Sequence, residues 1–70
     1  VNLPEKLARE IGRVTELRRQ YAALDGMPQV NVKPAMALMD AALEIAKLAA
    51  VSADIEAQLL AIRILGGFTS

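Results

Sequence analysis

The sequence predicts a small all-α fold, a helical hairpin or three-helix bundle completed by dimerisation. Three observations carry that expectation. Apolar residues recur at three- and four-residue spacings over long stretches, the period of a helix and not of a strand. The apolar mass is Ala, Leu, Ile, Val and Met: hydrophobic residues make up 54% of the chain and aromatic residues 3%. Glycine and proline cluster at two places, around 26–34 and at 66–67, and so divide the chain into helical segments.

The first segment spans about 3–24. Asn2 is placed to cap it, Pro4 sits in the tolerated first turn, and Glu5 stands three residues after the cap. Leu7, Ile11, Val14, Tyr21 and Leu24 mark its apolar face. Glu5–Arg9 and Lys6–Glu10 are spaced as ion pairs on the wet side. Gly26 is suited to the left-handed position that ends a helix, and Pro28 forbids continuation.

The second segment spans about 32–50, with Asn31 as its expected cap and Pro34 in its first turn. It is polar only along Asp40, Glu44 and Lys47. One flank of that strip holds Met36, Met39 and Leu43, the other Leu38, Ile45 and Leu48, and alanines lie between. A helix apolar on nearly every side must be covered on nearly every side.

The third segment spans about 53–65. Ser52 reads as its cap, with Asp54 adding negative charge to the first turn. Ile55, Leu59 and Ile62 form one apolar face and Ala57, Leu60 and Ile64 another. No Gly or Pro separates the second and third segments, so one continuous helix is the alternative. A break is preferred because ordinary helices average about 11–12 residues. Gly66 and Gly67 end the segment, and Phe68 can cover its last turn.

Length and chemistry bound the function. Seventy residues make one small domain, with a thin stability margin. No cysteine is present to supply a disulfide and no histidine to serve as a metal ligand or general base. Association is the remaining support for so small a core. No catalytic, cofactor or metal residues are assigned, and the chain is expected not to be an enzyme. Formal net charge is zero, with eight basic and eight acidic residues, which gives no overall pull toward nucleic acid or an acidic membrane. The most apolar stretch, 35–51, is too short and too charged to span a bilayer. The lack of cysteine and of a secretory leader pattern points to the cytoplasm.

The leading feature is surplus apolar surface: more apolar helix faces than one short chain can cover. It predicts a protein–protein interaction or assembly module, paired with a second copy, another protein or both. The expected interface residues are Arg18, Met36, Met39, Leu60 and Ile64. Arg18 lies within the apolar face of the first segment, where it must snorkel, reach a partner or pair with a carboxylate, Asp40 or Glu44. Gly12, with Ala8 and Thr15 a turn to either side, reads as a tolerated helical glycine, and the alternative is a close helix–helix crossing inside or between chains. Lys6, Arg9, Arg13 and Arg19 read as a solvated basic face, and the competing function is a small nucleic-acid-associated regulator using the first segment's arginines.

Overall fold

The computed structural model describes residues 2–69. It contains three helices, α1 (Leu3–Leu24), α2 (Lys33–Val51) and α3 (Ile55–Gly66), and no strand among the described residues. Each helix packs on the other two, in a bundle 43 Å long and 17 by 16 Å across. The chain therefore resolves as three helices, with a break between α2 and α3. No helix among the described residues is long and apolar enough to cross a membrane.

Local chemistry sets the boundaries. Asn2 caps α1 by accepting the Glu5 backbone N–H at 3.2 Å. Gly26 follows α1 with φ of 97°, a conformation that favours glycine. Asn31 does not cap α2. Val32 occupies that position in a helical conformation, with no side-chain cap, and is buried. Asn31 therefore stands one residue before the cap position.

Ser52 has a different role from the expected one. It closes α2: its N–H and its hydroxyl both donate to the Ala49 carbonyl, at 3.2 and 2.9 Å. Asp54 is the cap of α3, its carboxylate accepting from the N–H groups of Glu56 and Ala57. Two capping residues two positions apart, one for each helix, make the break without glycine or proline.

The core is drawn from one face of each helix. Leu7, Val14 and Leu17 of α1 meet Met39, Leu43 and the alanines 42, 46 and 49 of α2, with Ala61 and Leu65 of α3. Ile11, Tyr21, Ile62, Ile64 and Phe68 cover its margins. The buried face of α3 is centred on Gln58, Ala61 and Leu65, between the two faces that the sequence marks as apolar. Small residues at Ala42, Ala46 and Ala61 let helices approach closely, so the largest side chains need not be the most buried.

Candidate interaction surface

The charges of α1 bear on the basic-face reading. Arg9 faces Glu5 at 3.8 Å, and Arg19 holds Glu16 at 2.6 Å. Arg13 grips Glu10 through its Nε at 2.8 Å, and its two terminal nitrogens donate to the carbonyls of Leu65 and Phe68 at 2.8 and 2.7 Å. Arg13 is thus no freely solvated charge: it bridges α1 to the carbonyl end of α3, where a cation is favoured. That hydrogen bond from Arg13 holds the Glu10 carboxyl below its ordinary pKa, against the opposing effect of burial.

Arg18 is half-buried and pairs with Asp40, as a two-pronged contact of 2.7 Å (Nε to Oδ1) and 3.2 Å (Nη2 to Oδ2). The hydrogen bond from Arg18 also lowers the Asp40 pKa. Of the two carboxylates that the sequence offers to Arg18, Asp40 is the one engaged. The pair ties α1 to α2. All four arginines of α1 therefore face carboxylates of their own chain.

The apolar surplus survives folding. Leu24, Met27 and Val30 are exposed around the first loop, and the other seven of ten exposed large apolar residues lie between Leu38 and Leu60. On α2, Leu38, Ile45 and Leu48 are 63%, 48% and 64% exposed. Ala41, also exposed, completes their 3-4-3 spacing on one side of the helix. Ile45, Leu48 and Ala49 line one wall of an open groove, and Ala57 and Leu60 of α3 line the other. Asp54 and Ser52 close its end at the turn between the helices.

The expected interface residues fall in different places. Leu60, 54% exposed, lies on this face, and Ile64 is half-buried one turn further along α3. Met36, in the first turn of α2, is half-buried. Met39 is 2% exposed and belongs to the core, so it is not open to a partner. Arg18 is held by Asp40 in the seam between α1 and α2, on the other side of α2 from the groove. The exposed flank of α2 is Leu38, Ile45 and Leu48, not the methionines. The sequence offers Arg18 both Asp40 and Glu44, and the structure's choice of Asp40 accompanies the burial of Met39 and Leu43 and the exposure of the opposite flank.

Gly12 does not seat a helix crossing within the chain, since a Cβ built there meets nothing within 4 Å. No group of three or more potential metal-ligating side chains converges among the described residues. No protein-family model matches the chain, and no curated protein or solved structure is found similar to it.

Proposed function

We propose that this chain is a non-catalytic helical interaction or assembly module that works by burying the α2–α3 face against protein. The supporting observation is the exposure of Leu38, Ile45, Leu48 and Leu60 on a bundle whose core is built from other side chains. Large apolar side chains exposed together on one face of a small bundle mark an interaction site. The composition supports the non-catalytic part, since histidine and cysteine are both missing. A cytoplasmic setting belongs to the same proposal. The nucleic-acid reading gains no support from α1, where every arginine faces an acidic side chain.

The test is site-specific photo-crosslinking in cells that express the chain. A photoreactive amino acid at position 48 is expected to yield adducts identifiable by mass spectrometry, and one at position 47, on the polar strip, is not. Leu60→Glu is expected to remove the position-48 adducts. Equal labelling from 47 and 48, or none from 48, overturns the proposal.

A further inference from the structure

The charges beside the face are arranged to match those of a second copy. α3 carries two charged residues, Glu56 and Arg63, seven positions apart and hence on the same side of the helix. Both border one shallow depression on the outer side of α3, with Leu59 and Leu60 between them. Two turns of helix, about 10 Å, keep them from each other. Neither makes an ion pair within the chain among the described residues. The order acid, two leucines, base becomes its own complement when the helix is laid antiparallel on a second copy.

We infer that the α2–α3 face takes a second copy of this chain, with α3 antiparallel to α3 about a two-fold axis near Leu59 and Leu60. This rests on the reading of the face as an interaction surface. Glu56 of each copy then meets Arg63 of the other, twice over, as a two-fold interface requires. The same axis serves α2. Ile45 and Leu48 stand opposite Ala57 and Leu60 across the groove, so they lie level with the axis. Antiparallel α2 helices would set Ile45 against the second copy's Leu48, and the reverse. The apolar centre is thereby rimmed by paired charges, the usual arrangement of an interface. A zero net charge puts no long-range repulsion in the way. The chain exposes 4872 Å², and about 800 Å² per partner, roughly a sixth of that, makes a standard interface.

Helix-dipole preferences also favour Glu56 in the first turn and Arg63 in the last. That effect acts inside one chain and leaves association unchanged, so the experiment reads association. The full chain is followed by sedimentation equilibrium from 1 µM to 1 mM (about three decades, the range over which weak dimers dissociate). The wild type is expected to be a reversible dimer. Glu56→Arg and Arg63→Glu, each alone, convert two attractions into two repulsions and weaken it about tenfold. An equimolar mixture of the two variants restores complementary pairs at both rims and is expected to return to within about threefold of wild type. Leu60→Glu, at a position already half in water, is expected to give a folded monomer, with helicity checked by circular dichroism.

A wild-type chain that stays monomeric at 1 mM overturns self-pairing, as does a mixture that associates no better than its components. Position-48 adducts composed only of another protein would overturn self-pairing and keep the interaction reading. Failure of position 48 to crosslink at all would remove both.

Discussion

Gln58 of α3 donates its side-chain amide to the backbone carbonyl of Ser52, 3.1 Å away, and reaches the Ala49 carbonyl at 3.4 Å. The residue is 6% exposed. A buried amide needs partners, and the Ser52 carbonyl just past the end of α2 needs a donor. One side chain meets both needs and ties the start of α3 to the end of α2. Gln58→Ala is expected to cost about 1–2 kcal/mol in urea unfolding, since the Ser52 carbonyl loses its side-chain donor while the Ala49 carbonyl keeps those from Ser52. Gln58→Glu is expected to be worse at neutral pH, because a carboxylate would face carbonyl oxygens. Acidification should recover part of that loss by protonating the introduced carboxyl. A Gln58→Glu variant as stable as wild type at pH 7 would contradict this account of the turn.

Arg13 should matter more than its exposed position suggests. Its guanidinium joins Glu10 to the carbonyls of Leu65 and Phe68, so it secures the end of α3 on α1. Arg13→Ala is expected to destabilise by about 1–2 kcal/mol, a modest figure because the side chain is partly wet. Arg13→Lys is expected to recover little, since one ammonium cannot reproduce the fork. The control is Arg9→Ala, whose single long contact to Glu5 is on an open surface and should give no measurable change.

Acid should weaken the fold in a definite direction. Hydrogen bonds from arginine lower the pKa of Glu10, Glu16 and Asp40 in the folded chain. A carboxyl with a lowered folded pKa stabilises above its unfolded value, about 4, and loses that contribution as pH falls through the folded value. The urea midpoint is therefore expected to be flat from about pH 7 to 5 and to fall below about pH 4. Asp40→Asn should start lower at pH 7 and decline less steeply in acid, because the charge linking α1 to α2 is already gone. Parallel acid limbs for wild type and variant would count against a role for the Arg18–Asp40 pair.

Much of this fold is legible in the sequence, because helix limits follow short-range chemistry. Asn2 caps the start of α1 as its residue type dictates, and Gly26 takes the positive φ of the turn just beyond the end. The orientation of α3 is harder to read. Its core line includes Gln58, which composition alone assigns to water, and small Ala61, while Leu59 and Leu60 face out. Burial of Gln58 follows from carbonyls that the chain turn creates, which no pattern within α3 reveals. On α2 both flanks are greasy, so periodicity cannot choose between Met39 and Ile45. Long-range contacts decide: Arg18 to Asp40 on one side, and the close approach of α3 along the alanines on the other.

Placing Met39 inside separates two effects that the sequence runs together. Met39→Ala is expected to cost about 2–5 kcal/mol, by cavity formation beneath both neighbouring helices. In a chain of this size that is enough to populate the unfolded state at 25 °C. Leu48→Ala, on the exposed face, should leave monomer stability within about 0.5 kcal/mol. Urea titration at low micromolar concentration distinguishes them. Similar losses at both positions would mean that the two flanks of α2 have been assigned the wrong way round.

Gly12 offers the opposite sign. It lies in the middle of α1, in ordinary helical backbone, and a methyl group there would point into open space. Glycine at such a site is costly because the unfolded chain gains conformational freedom from it. Gly12→Ala is therefore expected to stabilise the protein by about 0.5–1 kcal/mol, raising its melting temperature by a few degrees in a domain this small. The same variant tests whether a second helix docks closely at this point of α1. The pairing through α2 and α3 leaves Gly12 away from the contact, so the substitution should raise stability while the dimer dissociation constant stays put. A gain in melting temperature accompanied by weakened association would move the interface from the α2–α3 face to α1.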